Sequence, residues 1–330
     1  MLNTDTPELQ FAIEAVRRAS LLAKHIQSEL VAKAITKDDR SPVTVADFAA
    51  QALVGKMMAE HFPETALVGE EDSAILRQPE QSATLEAITR FLAEVEPAAT
   101  PELACQWIDR GNGKPGSLFW TLDPIDGTKG FLRDGQYAVA LALIDNGNVQ
   151  IGVLGCPHVS GGYRQEIGGP GSLVAAVRNQ GAWTTPLDDP AAYSQLHVSD
   201  IADAAQARLL RSFEGGHTNV SQLDRIVETM ATTAEPGRLD SQAKYAILAA
   251  GEGDLLFRLI APKAPDYKEK IWDQAAGSLV VEEAGGRDTD LDGKPLDFSR
   301  GRTLAGNRGV LASNALLHEA ALEAIKTVGA

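Results

Sequence analysis

Trp120-Thr-Leu-Asp-Pro-Ile-Asp-Gly-Thr-Lys-Gly130 sets two carboxylates, Asp123 and Asp126, three positions apart around a proline, with a glycine and a hydroxyl directly behind them. Phe119 to Leu122 is an apolar, β-prone run that predicts a strand leading into the carboxylates. Pro124 is expected to stop that strand and fix the backbone. Gly127 lets the chain turn closely past whatever the carboxylates hold. Two carboxylates fixed at a strand end suit a hard cation, and Mg²⁺ takes one or two carboxylates together with waters and substrate phosphate. Asp, Pro and Gly also make ordinary acidic surface turns, but such a turn leaves the tryptophan-led apolar approach and Thr128 unexplained.

The wider composition sets limits. A chain of 330 residues can bury a large core, as one domain or two lobes. Its 44% hydrophobic and 23% charged residues are ordinary for a globular protein. No apolar run approaches the roughly 20 residues that span a bilayer. The first residues lack the basic and apolar blocks of a signal peptide. Cys105 and Cys156 stand alone with no CxxC, so neither a disulfide framework nor a zinc site is expected, and a reducing cytoplasm fits best. A formal net charge of −15 argues against nucleic-acid polymers, whose phosphates are bound by basic faces. It does not exclude a small phosphate ester, because bound metal ions reverse the local sign.

Leu9, Ile13, Val16, Ala23, Ile26, Leu30 and Ala34 recur near helical spacing, with Thr6 as N-cap and Pro7 at the first helical position. Asp47 is expected to open a second helix ending near His61. Residues 65–69 read as a short strand, 81–95 as a third helix, and 97–116 as a loop carrying several breakers. Two apolar runs, 137–144 and 149–154, flank Asp145-Asn-Gly-Asn148, a strong hairpin signal. The unbroken apolar character of the first run predicts burial on both faces of a sheet. Short strands follow to about Val198. Strand-like runs at 208–212 and 254–260 then alternate with helices near 219–232, 243–250, 271–284 and 314–327, which points to a layered α/β arrangement. Two lobes, 1–185 and 186–330, are expected, with no repeats and no low-complexity linker.

Four segments stand in order: Ser41-Pro-Val-Thr-Val-Ala-Asp47, Val68-Gly-Glu-Glu71, Asp123-Pro-Ile-Asp-Gly-Thr128 and Trp272-Asp-Gln-Ala-Ala-Gly277. Together they resemble the landmarks of the inositol monophosphatase superfamily of Mg²⁺-dependent, lithium-sensitive phosphatases. Three further stretches resemble the branch of that superfamily acting on 3'(2'),5'-bisphosphate nucleotides. They are Asp126-Gly-Thr-Lys-Gly-Phe-Leu-Arg133, Asp240-Ser-Gln-Ala-Lys-Tyr245 and Asp254-Leu-Leu-Phe-Arg258. The likeness runs from about Lys33 to the C-terminus.

The resemblance implies an αβαβα sandwich with two or three Mg²⁺ ions at the seam between the lobes. One ion would be held by Glu70, Asp123 and the backbone carbonyl of Ile125, another by Asp123, Asp126 and Asp273. Thr128 and Asp47 would orient the attacking water and take its proton. Gly127, Thr128, Asp273, Ser241, Lys244 and Arg258 would hold the substrate, the last three binding its second, non-reacting phosphate, with His217 facing the adenosine. The implied reaction is hydrolysis of 3'-phosphoadenosine 5'-phosphate to AMP and phosphate. An inositol phosphate is the rival substrate, and a catalytically idle metal- or nucleotide-binding protein is a rival of another class. Neither a membrane nor an obligate protein partner is expected.

Each residue has a plainer reading. Glu70-Glu71-Asp72 could be a solvated acidic turn, with Glu71 a neighbour of the metal site. Asp273 could simply stabilise a helix N-terminus. Asp47 could be an N-cap, Lys244 a solvated helix residue, and His217 structural. Gly111-Asn-Gly-Lys-Pro-Gly116 fits G-x-G-x-x-G but contains Pro and opens no helix, so a dinucleotide loop is rejected. Asp288-Thr-Asp-Leu-Asp-Gly293 begins like an EF-hand loop, but Ser299 stands where the bidentate Glu belongs, so a turn is expected.

Overall fold

A computed structural model describes residues 2–30, 41–190, 192–213 and 219–330, and of 41–43 the backbone alone. Helix α1 (Pro7–Leu30) starts as its sequence predicts: Thr6 Oγ1 accepts from the Leu9 N–H at 3.4 Å, and Pro7 occupies the first turn. The expected continuation to Ala34 lies outside the described residues. Helix α2 (Ser41–His61) departs from expectation, because Asp47 lies inside it and not at its start. Ala46, Ala49, Ala50, Leu53 and Val54 are all fully buried, so packing and not an Asp cap sets where this helix runs.

Strand β1 (Ala66–Gly69) and helix α3 (Ser82–Val95) follow as expected. The stretch read as a loop contains helix α4 (Pro101–Asp109). Its breakers serve as its boundary: Thr100 Oγ1 accepts from the Leu103 N–H at 3.2 Å, and Pro101 fills the first turn, where its missing N–H costs nothing. Helices α2 and α4 touch at Gly55, where an added Cβ would stand 2.0 Å from the Trp107 carbonyl oxygen. Gly55→Ala should therefore destabilise the protein by about 1–3 kcal/mol, the usual cost of overpacking. An unchanged thermal midpoint would show that the two helices can part freely.

The main sheet has seven strands in the order β1-β2-β3-β4-β7-β8-β9. They are β1, β2 (Leu118–Asp126), β3 (Ala138–Asp145), β4 (Asn148–Cys156), β7 (Ser172–Val177), β8 (Ala182–Pro186) and β9 (Ser194–Leu196). A separate two-stranded ribbon, β5 (Val159–Ser160) and β6 (Arg164–Gln165), lies between β4 and β7 in sequence. The predicted β3–β4 hairpin forms with Asn146 and Gly147 both at positive φ, 49° and 78°, the requirement of a tight I′ turn. Strand β3 is buried on both faces, as its apolar run predicts. Val139, Leu141 and Leu143 join the core under α1 and α2. Ala138, Ala140, Ala142 and Ile144 face the opposite core.

Behind that second face lie helices α7 (Ala243–Ala249) and α8 (Ala275–Glu283), buried along most of their length. Small residues bring them close: a Cβ on Gly152 would meet the Ala276 carbonyl at 2.7 Å. A five-stranded sheet follows, β10 (Leu209–Arg211), β11 (Gly237–Arg238), β12 (Leu255–Arg258), β13 (Arg287–Thr289) and β14 (Val310–Ser313), ordered β11-β10-β12-β14-β13. Its outer face packs on α6 (Val220–Thr229) and α9 (His318–Val328) through Leu223, Ile226, Leu311 and Ile325. The layers thus read αβαβα, with α5 (Thr128–Leu132) at the junction. Asp290 accepts from the Asp292 and Lys294 N–H groups, each at 2.9 Å, so the EF-hand-like stretch is a turn. Among the described residues no helix is long and apolar enough to cross a membrane. Cys105 and Cys156 are buried and unpaired.

Candidate active site

Strand β2 does not stop at Pro124. It runs on to Asp126, and its register with β3 shifts so that Asp123 faces Ala140 while Asp126 faces Ala138. Side chains alternate along a strand, so residues three apart would normally point to opposite faces. One extra residue on β2 removes that offset and turns both carboxylates to the same side. Pro124 fits this bulge because it has no N–H to place in the ladder. Parallel pairing of β1 with β2 sets Gly69 beside Leu122, so Glu70 and Asp123 each follow a matched pair and stand side by side.

Gly127 holds φ at 92° and caps α5, which starts at Thr128. A Cβ there would lie 2.8 Å from Ser241 Cβ, so only glycine lets the two loops meet. Ser241 itself holds φ at 70°, and the next N–H, that of Gln242, donates to Asp126 Oδ2 at 2.6 Å. The Gln242 side chain donates to the Trp272 carbonyl at 3.0 Å and accepts from the Gly277 N–H at 3.1 Å. Through its backbone N–H and its side-chain amide, Gln242 thereby ties Asp126 to the turn that carries Asp273. Lys244 is buried on α7 and donates to Ser212 Oγ at 3.2 Å. Arg258 ends β12, pairs with Glu269 at 2.8 Å and stands 4.0 Å from Asp273. Glu269 also accepts from Gln274, which in turn accepts from the Tyr245 hydroxyl.

These groups open onto one cavity of about 1170 Å³. Glu70, Asp123, Ile125, Asp126, Thr128 and Asp273 line it. Ser241, Lys244 and Arg258 line the same cavity, with Arg258 4.0 Å from Asp273. The carboxylates repel one another. Withdrawal from bulk water, then Glu71 and Asp126, push Glu70 up to about 7. Burial, then Glu70, Asp126 and Asp273, raise Asp123 well above the usual carboxylate range. Asp273 rises through burial and Asp126. Asp126 is raised by burial, although Lys244 and Arg258 pull it back. Burial lowers Lys244 to about 8 against the pull of Asp126. Arg258 stays firmly charged: burial opposes it, but Glu269 more than compensates.

Most of the residues singled out in the sequence meet here, but Asp47 does not. Asp47 lies off the cavity lining, buried on α2, and makes no hydrogen bond to Thr128. Burial, then Glu71 and Glu70, raise its pKa. His217 lies outside the described residues. Glu71 is held by its backbone, with Gln51 donating to its carbonyl at 2.6 Å and accepting its N–H at 3.0 Å. Sequence reasoning missed Gln51, Gln242, Glu269 and Gln274. Gln242 and Gln274 lie inside quoted motifs, which was the available signal. Gln51 and Glu269 carried none.

Among the described residues no three acidic, histidine or cysteine side chains are drawn in tightly enough to hold an ion as they stand. Two features nonetheless fit a cation. Glu70, Asp123, Asp126 and Asp273 share one cavity at a cost in mutual repulsion, and Asp123 Oδ1 is buried without a hydrogen-bond partner. A buried charged oxygen left unpaired is expensive unless something cationic meets it.

Comparison with known proteins agrees with this geometry. The model of the inositol monophosphatase family matches residues 5–330. A 3'(2'),5'-bisphosphate nucleotidase of Schizosaccharomyces pombe is 42% identical over 97% of this chain and 95% of its own length. One from Oryza sativa is 40% identical over 98% and 95%. Among solved structures, the Thermotoga maritima IMPase superposes with a TM-score of 0.64 at 20% identity, covering 98% of both chains. An inositol monophosphatase from Anabaena gives 0.63 at 20%, covering 97% of both. These last two are similar in fold alone. The fold, the order of the motifs and the full-length relatives lead to one assignment: the chain belongs to the inositol monophosphatase family, whose members depend on metal ions.

Proposed function

We propose that this chain is a Mg²⁺-dependent phosphomonoesterase that removes the 3'-phosphate of 3'-phosphoadenosine 5'-phosphate, giving AMP and phosphate. The observation that carries this reading is the pairing, in one cavity, of a carboxylate cluster with two cations, the buried Lys244 and the part-buried Arg258. A monophosphate needs the first. A second phosphate gives the cations a purpose. The names of the full-length relatives point to the same substrate class.

Glu70, Asp123, Asp126, Asp273 and the Ile125 carbonyl are the groups that would hold Mg²⁺. When bound, Mg²⁺ supplies positive charge for the reacting phosphoryl group and its leaving oxygen. The protein's own residues do the remainder. The β2 bulge and the Gln242 N–H fix the direction of Asp126. Thr128, exposed on the cavity wall at the start of α5, offers a hydroxyl that orients the attacking water and takes up its proton while passing its own hydroxyl proton toward Asp47. Asp47 is off the cavity lining, so this transfer requires a relay between it and Thr128. Arg258 keeps its Nε buried and without a partner, and Glu269 takes up one terminal nitrogen, so the guanidinium is held in one orientation toward the cavity. Two buried, unpaired cysteines suit a reducing compartment such as the cytoplasm.

Phosphate release should be measured with Mg²⁺ on the bisphosphate nucleotide, its sulfated relative, 3'-AMP and inositol phosphates. The bisphosphate nucleotide should be preferred, and a preference for inositol 1-phosphate would promote the rival substrate. Thr128→Ala should lower kcat by roughly 10²-fold or more, the scale of a lost general base, with substrate affinity little changed. Wild-type turnover in that variant would remove Thr128 from the proton transfer.

A further inference from the structure

Glu70 and Asp273 come from distant parts of the chain, and a single guanidinium spans the gap between their supports. Arg302 donates to the Gly69 carbonyl at 2.5 Å, immediately before Glu70 and 233 positions away in sequence. The same guanidinium lies 4.8 Å from the ring centre of Trp272, immediately before Asp273. Its own backbone is fixed to that turn: Ile271 donates to the Arg302 carbonyl at 3.2 Å, and Leu304 donates to the Glu269 carbonyl at 2.9 Å. Lys270 and Thr303 pair antiparallel between them. On the other side, Gln51 pins the Glu71 backbone from α2. Glu70 is therefore held from the helical layer by Gln51 and from the C-terminal part of the chain by Arg302.

We propose that Arg302 is a positioning residue that sets the spacing between Glu70 and Asp273, and so tunes how tightly the carboxylate cluster takes a divalent cation. This rests on the metal site proposed above. Charge alone predicts the opposite behaviour. Arg302 is a cation whose nearby carboxylates include Asp72 and Glu70, so removing it should favour a second cation at the cluster. If its spacing role dominates, removing it should disfavour that cation. The sign of the effect therefore decides.

Mn²⁺ is the probe, with its binding to the full-length protein followed by the loss of the free-ion EPR signal. Arg302→Met, which keeps an apolar stem against Trp272, should weaken Mn²⁺ binding by about 10-fold, the lower range for residues supporting metal ligands. The Mg²⁺ concentration for half-maximal activity should rise by the same factor, while KM at saturating Mg²⁺ stays put. Arg302→Lys should fall between, because an ammonium cannot stack a planar face on Trp272 while donating to Gly69. Unchanged or tighter Mn²⁺ binding in Arg302→Met overturns the proposal. If that variant does not fold, the same outcome in Arg302→Lys overturns it. Asp123→Asn separates this failure from failure of the site itself: if it binds Mn²⁺ like the wild type, the carboxylate cluster is not the metal site.

Discussion

Asp123→Asn should abolish turnover while leaving the metal-free protein at least as stable as the wild type. Asp123 is 2% exposed and belongs to the cluster proposed to hold Mg²⁺. Asparagine keeps its size and removes its charge. Losing charge stabilisation worth several kcal/mol at the reacting phosphoryl group corresponds to a fall in kcat of about 10³-fold or more. Stability should move the other way, because burial and the neighbouring acids Glu70, Asp126 and Asp273 all disfavour the Asp123 carboxylate. Its Oδ1 has no hydrogen bond to lose. Residues retained at a cost to stability are expected where function requires them. Chelation should silence the wild type, and added Mg²⁺ should restore it. Full activity in excess chelator would end the metal-dependent mechanism. A lower melting temperature for metal-free Asp123→Asn would show that the carboxylate is structural.

Arg258→Ala should separate the two phosphates of the substrate. If Arg258 binds the 5'-phosphate, that group contributes binding energy remote from the reacting centre, and losing it reduces kcat/KM and not KM alone. The loss for the bisphosphate nucleotide should be about 1.5–3 kcal/mol, the scale of a hydrogen bond to a charged group, or roughly 10- to 100-fold. 3'-AMP should be nearly indifferent. The structure adds a control. Glu269 is 4% exposed and pairs with Arg258, so the alanine variant leaves a buried carboxylate without its cation, which can cost several kcal/mol in stability. Arg258→Ala combined with Glu269→Gln removes that charge and should keep the selectivity change. Equal losses on both nucleotides in the double variant would show that Arg258 supports the fold and not the phosphate.

The elements most legible in the sequence were those set by local chemistry. The Asn146-Gly147 turn, the Thr6-Pro7 helix start and the unbroken apolar run of β3 each depend on residues adjacent in sequence. The acidic cluster was legible for the same reason, since short motifs carry Glu70, Asp123, Asp126 and Asp273. Helix α4 was not legible in the loop-like 97–116 because a proline reads as a breaker, although at the first turn of a helix of nine residues Pro101 opens it. Asp47 was misplaced because an aspartate that resembles a cap can equally sit inside a helix whose position is set by buried neighbours.

Sequence alone determined the layered class, the family and the identity of most residues that share the cavity, because periodicity and motif chemistry are local properties. Tertiary structure alone decided three things. The one-residue bulge in β2, visible only against the register of β3, turns Asp123 and Asp126 to one side. The pairing of Glu269 with Arg258 depends on how a loop folds back on a strand end. The bridge from Arg302 to Gly69 joins residues 233 positions apart. Each depends on a partner brought near only when the layers close, so no local pattern could have announced it.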